Sequence, residues 1–452
     1  MDSEATINNA NTKTVFGHPV GLFVLFFTEL WERFSYYGMR ALFTLFLVAK
    51  TNSGNPGFGW TNSEAIMLYG WYTMLVYIAS VPGGWIADNI LGQKKTVMWG
   101  GILLCIGHSI LAFDTEFSFY LGCFFVILGV GGLKPNISSM VGGLYPKGDE
   151  RRDLGFYIFY MGINIGGFAA PILCGWIGET YNWHYGFGLA AIGMLFGQLT
   201  YAYGQKYLVG VGDFIGKSSH PDNALKKQKL TPIERDRVKV LLISFLLIIV
   251  FWGAFEQAGG LMNLYAKQKT DRMLLGIEIP ASWFQSLNSF FIITLAVLVG
   301  SFWMRWKLKG KEASSLYKIA IGILIMGWGF LFMRFAAMDY EVMGKSAMYW
   351  LVLAYLFHTL GELCASPVSL SFITKLAPVK YAASIMGLYW AATGLGNKLA
   401  ASIGGFAETA GEKQIFTGIF IFCTIVAILI ILLLKPLKRL THGAEDSINI
   451  SE

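Results

Sequence analysis

The feature that most constrains this chain is a succession of apolar runs, each long enough to be a membrane helix, filling residues 19 to 434. A helix needs roughly 20 consecutive apolar residues to cross the ~30 Å hydrocarbon core of a bilayer. Reading the runs against polar breaks predicts spans at 19–48, 65–87, 97–114, 117–142, 154–178, 183–205, 239–264, 282–304, 317–337, 347–374, 383–405 and 415–434. The longest polar gap, 206–238, falls between the sixth and seventh. The expected organisation is a tail 1–18, a six-helix bundle 19–205, a linker 206–238, a six-helix bundle 239–434 and a tail 435–452. The fold class expected is all-α integral membrane, with twelve transmembrane helices in two bundles.

Composition agrees. Of 452 residues, 55% are hydrophobic and only 14% are charged, against about a quarter charged in soluble chains, which argues against a water-soluble enzyme. The net charge of +7 points to nucleic acid only where basic residues cluster on a folded surface. Here they sit in loops between apolar runs, so no nucleic-acid partner is expected and membrane lipid is. The five cysteines fall inside apolar runs with no zinc spacing, which predicts buried, inert thiols. The first 18 residues are polar and the run after them is too long for a signal sequence, so no cleavable leader is expected.

Lysine and arginine counting sets the orientation. With the N-terminus in the cytoplasm, inside segments hold 24 of these residues and outside segments six. Both tails and the 206–238 linker are therefore expected on the cytoplasmic side.

Nine ionisable residues lie within the predicted spans: Glu29, Glu32, Arg33, Arg40, Lys134, Glu256, Arg334, Glu362 and Lys398. Each would cost ~2.5–3.5 kcal/mol at the centre of a lone helix, so they must pair or line a wet cavity. Arg334 and Lys398 stand near outer span ends, where snorkelling accounts for them. At ~1.5 Å per residue, Glu29, Glu32, Arg33, Lys134, Asn164 and Glu362 lie roughly 12–21 Å from the inner end of their spans. That is near the midplane, where transporters place substrates. Arg40 and Glu256 lie higher, roughly 26–32 Å from the inner end, and are expected to form an outer gate. Glu29, Arg33, Tyr36, Tyr37 and Arg40 recur at helical spacing and share one face of the first span. Tyrosines there offer an apolar wall with a hydrogen-bond handle.

Other motifs carry less. Gly210-Val211-Gly212 follows a span and opens no strand–helix unit, so it is not a nucleotide fingerprint. His358 and Glu362 have i, i+4 spacing without a third metal ligand. His108 is expected to be a hydrogen-bonded helix histidine. No P-loop is present, so ATP cannot drive this protein.

The stretch from Glu29 to Gly38, ELWERFSYYG, resembles the ExxERFxYY signature of the proton-coupled oligopeptide transporters, a branch of the major facilitator superfamily. Gly132-Leu133-Lys134-Pro135-Asn136 is similar to that family's fourth-span motif, the stretch from Phe159 to Gly166 to its FYxxINxG motif, and the stretch from Gly361 to Pro367 to its tenth-span motif. The stretch from Gly84 to Lys95 resembles the superfamily's loop between spans two and three. The resemblance covers about residues 18–435. The chain departs from it in four ways. Its central loop has no apolar run, where many bacterial members carry two extra helices. Ser289 follows Asn288 where proline is usual, Tyr389 stands where tryptophan is usual, and Gly70 replaces the histidine of animal members.

The resemblance implies a major facilitator fold and a symporter of di- and tripeptides and protons in a bacterial inner membrane. It further implies a carrier and not an enzyme, driven by the proton gradient with no cofactor or metal and working as a monomer. Such a site needs cations for the peptide carboxylate, an acid for the ammonium, amides for the peptide bond and aromatic walls. Arg33, Arg40 and Lys134 supply the cations. The resemblance assigns the amino terminus to Glu362, peptide groups to Asn164 and Asn288, a tenth-span position to Ser366, and walls to Tyr37, Tyr77, Tyr160, Trp252 and Tyr389. Proton coupling is assigned to Glu29, Glu32, Arg33, Lys134 and Glu256. The four acids Glu29, Glu32, Glu256 and Glu362 exceed the three cations by one, so one buried acid can hold a proton. Two rival readings are a proton-coupled carrier of nitrate or another small anion, which offers no ammonium for Glu362, and a proton-drug antiporter.

Overall fold

The computed structural model of the protein describes residues 13–146, 149–214, 230–378 and 381–444. Of the expected segments, 1–12, 215–229 and 445–452 lie outside the described residues. So do Lys147, Lys217, Lys226, Lys227, Lys229 and Lys380 of the orientation count.

The long helices are α1 Val20–Val48, α2 Asn62–Ile86, α3 Gln93–Leu111, α4 Glu116–Gly143, α5 Arg151–Thr180, α6 Trp183–Gly204, α7 Pro232–Phe255, α8 Ser286–Leu308, α9 Ser315–Met343, α10 Tyr349–Leu376, α11 Ala382–Gly405 and α12 Glu412–Leu432. Shorter helices run over Leu261–Gln268, Ala407–Ala410 and Leu434–Leu440. Each predicted apolar run falls mainly on one long helix. Among the described residues, eight helical segments are long and apolar enough to cross a membrane. α1 is not one of them, because Glu29, Glu32, Arg33 and Arg40 interrupt its apolar sequence.

Several expectations are corrected. The seventh helix begins at Pro232, not near 239. Thr231 caps it: its hydroxyl accepts from the Glu234 N–H at 3.2 Å, and its own N–H donates to the Glu234 carboxylate at 2.7 Å, with proline at the first helical position. Nor is the run 239–264 one helix. A 3-10 turn at Glu256–Ala258 and a non-helical Gly260 precede Leu261–Gln268. The chain is also not purely helical. Thr14–Val15 pairs with His18–Pro19 across a turn with positive φ at Phe16 and Gly17. Thr270–Asp271 pairs with Ser346–Ala347, and Met273–Leu274 with Ile277–Glu278. Cys105 is only partly buried, unlike the other four cysteines. His108 is fully buried, yet neither ring nitrogen has a partner among the described residues, since the helix carbonyls around it serve their own ladders.

The chain divides into two compact units, one of Met1–Ser219 with Met273–Phe290, the other of His220–Arg272 with Phe291–Glu452. The segment 273–290, which hydropathy assigned to the second bundle, thus groups with the first unit. Hydrogen bonds to α5 explain it. Glu179 accepts from the N–H groups of Ala281 (3.2 Å) and Ser282 (2.8 Å) and from the Ser282 hydroxyl (2.7 Å). The Trp283 indole donates to the Ile172 carbonyl at 3.0 Å, and the Ser286 hydroxyl to the Phe168 carbonyl at 2.8 Å.

In the first unit α1 packs on α5 and α6, and α4 on α2 and α3. Helix pairs in lipid gain from close backbone approach, so small residues line their seams. Gly100 of α3 meets Gly129 of α4, where an added Cβ would lie 2.8 Å from the Gly100 carbonyl oxygen. In the second unit α9 packs on α10 and α12, and α7 on α11. A Cβ at Gly322 of α9 would lie 2.7 Å from the Gly361 carbonyl oxygen of α10, so neither glycine tolerates a side chain without separating the helices.

Candidate functional site

The charged face of α1 is buried inside the first unit. Glu29, Glu32 and Arg33 are 2%, 0% and 4% exposed. Their proximity follows from helical spacing: the Arg33 Nε lies 3.3 Å from the Glu29 Oε1 one turn back. Both ends of the Arg33 guanidinium donate to the adjacent Glu32 carboxylate. One guanidinium thus serves two acids, and the Glu29 Oε2 is buried with no hydrogen-bond partner among the described residues. Lys134 of α4 is within Coulombic reach of Glu29. Its ammonium sits 4.0 Å from the ring centroid of Tyr77 on α2.

Tyrosine rings organise the other cations. Arg33 lies 5.0 Å from the Tyr36 ring and 5.9 Å from the Tyr37 ring. Arg40 lies 5.7 Å from Tyr37 and donates its Nε–H to the Tyr69 hydroxyl at 2.6 Å. A ring face attracts a cation without carrying a formal charge, so these contacts fix the positive groups in place without cancelling their charge.

Helix α5 reaches this cluster through glycine. A Cβ at Gly166 would overlap the Leu30 carbonyl oxygen of α1 and lie 3.2 Å from the Arg33 Cβ, so only glycine lets α5 pass beside the arginine. One turn before Gly167 and half a turn before Gly166 stands buried Asn164. Its amide N–H donates to the Tyr160 carbonyl at 2.9 Å, which leaves its oxygen as the end that can accept from a ligand. Tyr160 is 42% exposed. Asn288, expected in the second bundle, belongs to the first unit, and its neighbour Ser289 packs against α5 where a Cβ on Gly167 would fall 2.7 Å from the Ser289 hydroxyl.

In the second unit, Glu362 and Ser366 share one face of α10 and are partly buried. Tyr389 of α11 is 4% exposed, stands beside Ser369 and lies within Coulombic reach of Glu362. Trp252, on α7, stands where α7 and α11 approach closely at Gly396. Glu256 occupies the 3-10 turn after α7 and is buried. Of the two residues assigned to the outer gate, Arg40 belongs to the first unit and Glu256 to the second. His358 turns its ring toward Phe330 of α9, 4.5 Å between centroids.

The structure therefore gathers Glu29, Glu32, Arg33, Tyr37, Arg40, Tyr77 and Lys134 in one unit, and Glu362 with Tyr389 in the other. Sequence reading missed Tyr69 and Ser369. Both were signalled by spacing: Tyr69 stands two turns before Tyr77 on α2, and Ser369 two turns after Glu362 on α10.

Residues 94–217 and 213–417 match the model of the POT family. The chain belongs to the POT family. Peptide transporter YePEPT of Yersinia enterocolitica is 37% identical to it, over 98% of this chain and 99% of that protein. A di-/tripeptide transporter of Lactococcus lactis subsp. cremoris is 34% identical over 96% and 98%. A crystal structure of a peptide transporter POT in complex with sulfate is 33% identical, with a TM-score of 0.89, covering 97% of this chain and 99% of that one. This POT-family chain is accordingly a multi-pass membrane carrier, and its charged face on α1 lies in the helix that carries the ExxERF stretch.

Proposed function

We infer that this protein is a symporter that brings di- and tripeptides, and peptide-like compounds, across the cell inner membrane together with protons. It does so by alternating access of two six-helix bundles built from twelve membrane spans, with both termini in the cytoplasm. It works as a monomer and draws on the proton gradient without a cofactor.

The observation that carries this reading is the buried charged face of α1 together with the partly buried Lys134 of α4, with the cations held on tyrosine faces. A short peptide is a zwitterion with constant ends and variable side chains. Arg33, Arg40 and Lys134 offer positive charge to its carboxylate, and Glu362 offers negative charge to its ammonium. Asn164 and Asn288 serve the peptide bond, while Tyr37, Tyr77, Tyr160, Trp252 and Tyr389 accept many side chains because π-faces contact apolar groups of any shape. Ser366 adds a hydroxyl beside Glu362. The Glu29 oxygen that has no donor among the described residues marks the acid best placed to take the proton, because a buried carboxylate lacking a hydrogen bond costs more than its protonated form. Glu32, Arg33, Lys134 and Glu256 complete the coupling set.

The test is uptake by purified protein in liposomes. Under an inward proton gradient with an inside-negative potential, labelled dialanine should accumulate, and an uncoupler should abolish accumulation. Equal accumulation with and without the gradient would sink the symport reading.

A further inference from the structure

The second unit contains a furrow of about 420 Å³, within the size range of ligand sites (~300–1,000 Å³), that the transport reading does not use. Leu298, Phe302 and Trp303 of α8, Ile321 of α9, and Leu360 and Cys364 of α10 line it. Leu298 and Phe302 are 63% and 52% exposed, so the furrow opens sideways from the helices. The Trp303 indole donates to the Cys364 sulfur at 3.4 Å, which fixes the ring against α10.

One end of the furrow is strongly basic. Between Arg305 and Lys318, the end of α8 and the start of α9 carry Arg305, Lys307, Lys309, Lys311 and Lys318 against the single acid Glu312. That acid is already engaged: it accepts from Lys438 at 2.9 Å and from the Ser314 N–H at 2.9 Å. These bonds hold its carboxyl below the ordinary range even though partial burial opposes this. Its charge is thus matched by Lys438, and Arg305, Lys307, Lys309 and Lys311 leave this end of the furrow with a net positive charge. Two of them lean on the aromatic wall. The Lys318 ammonium lies 5.4 Å from the Trp303 ring centroid, and that of Lys311 4.2 Å from Trp306.

An apolar furrow opening toward hydrocarbon and ending in aromatic-backed lysines matches the two ends of one molecule. We propose that it binds a single anionic phospholipid of the phosphatidylglycerol type. An acyl chain lies along Leu298, Phe302 and Ile321, and the phosphate meets Lys318 and Lys311. A zwitterionic lipid could fill the same furrow, but its headgroup carries a cation beside the phosphate and gains far less from the basic end. The inference rests on the reading that these helices span a bilayer with loop 309–314 at its surface, and it is independent of what is transported.

The test uses the full chain, delipidated in neutral detergent, with phosphatidylglycerol or phosphatidylcholine added. Native mass spectrometry counts the lipid retained, so the outcome does not depend on uptake. One phosphatidylglycerol should be retained at concentrations where phosphatidylcholine is not. Each lysine near a lipid surface strengthens binding about fivefold, so Lys318→Gln should weaken retention by about that factor. Lys311→Gln, at an exposed loop position, should act alike. Leu298→Trp fills the furrow from an exposed position and should abolish the preference. Lys50→Gln, an exposed cation of the first unit, should leave it intact. Equal retention of the two lipids by the parent chain, or parental retention of phosphatidylglycerol in both Lys318→Gln and Leu298→Trp, would overturn the proposal.

Discussion

Glu179→Ala should loosen the start of α8 from α5 by an amount the structure sets. The Glu179 carboxylate is the acceptor for the backbone N–H groups of Ala281 and Ser282 and for the Ser282 hydroxyl, and both residues are fully buried. A hydrogen bond to a charged group contributes ~1.5–3 kcal/mol, and a carboxylate at a helix N-terminus ~0.3–2 kcal/mol. These terms overlap, because the same contacts make both. The substitution should ease opening of the junction by about 2–3 kcal/mol, and the bonds from Trp283 and Ser286 to α5 survive it. Amide exchange of the 273–290 segment reads this directly. In Glu179→Ala, exchange at Ala281 and Ser282 should speed up about thirty- to a hundredfold. Glu179→Gln keeps one acceptor oxygen without the charge and should fall between. A parental exchange rate across 273–290 in Glu179→Ala would refute the argument that this carboxylate holds the segment in the first unit.

Three further outcomes follow from the site and its surroundings. Glu362→Gln should lose about tenfold to a hundredfold in affinity for peptides with a free amine, the value of one charge-assisted hydrogen bond, and N-acetylated peptides should bind parent and variant equally poorly; unchanged competition by free-amine peptides would remove Glu362 from the site. Lys134→Ala should stop proton-driven uptake in liposomes while counterflow exchange, which needs no net proton movement, persists; full gradient-driven uptake in the variant would contradict its coupling role. Asp149 accepts from the Arg151 side chain and N–H, which hold its carboxyl at about 2; a depressed acid gives up its contribution only as pH falls below ~4 toward that value, so Asp149→Asn should leave the shape of the uptake profile unchanged between about pH 5 and 8, and a shifted midpoint would show that reasoning to be wrong.

What was legible in the sequence was what depends on local periodicity. Glu29, Arg33, Tyr37 and Arg40 share a face because helical spacing puts them there, and long apolar runs announced long helices. The beginning of α7 was hidden in hydropathy, since Glu234, Arg235, Asp236 and Arg237 make its first turns polar; the Thr231-Pro232 cap was the available signal. The break after Glu256 was hidden for the opposite reason: Gly259 and Gly260 interrupt the helix inside a run that stays apolar. Membership of 273–290 in the first unit could not be read locally at all. It depends on Glu179, about a hundred residues earlier, meeting two backbone N–H groups that have no distinctive residue type. Tyr69 and Ser369 illustrate the remaining gap. Spacing placed them on the right faces, but only tertiary packing shows that Tyr69 meets Arg40 and that Ser369 meets Tyr389.

The charges around Arg33 also explain why the same cluster could bind an anionic group and a proton in one cycle, a hypothesis that the Lys134→Ala experiment tests. Glu32 uses both of its oxygens on Arg33, so it is the poorer proton acceptor of the pair. Glu29 shares that arginine through one oxygen only, and its other oxygen has no donor among the described residues. Its ionised form therefore rests first on Arg33 and then on Lys134, the second cation within Coulombic reach. A substrate carboxylate drawing on Lys134 would withdraw that support. Leaving Glu29 ionised in a buried site would then cost more than protonating it. Departure of the substrate would return Lys134 to Glu29 and favour release of the proton. Substrate and proton would thus be coupled because a carboxyl group of the protein and one of the peptide compete for a single lysine, with Tyr77 keeping that lysine within reach of either.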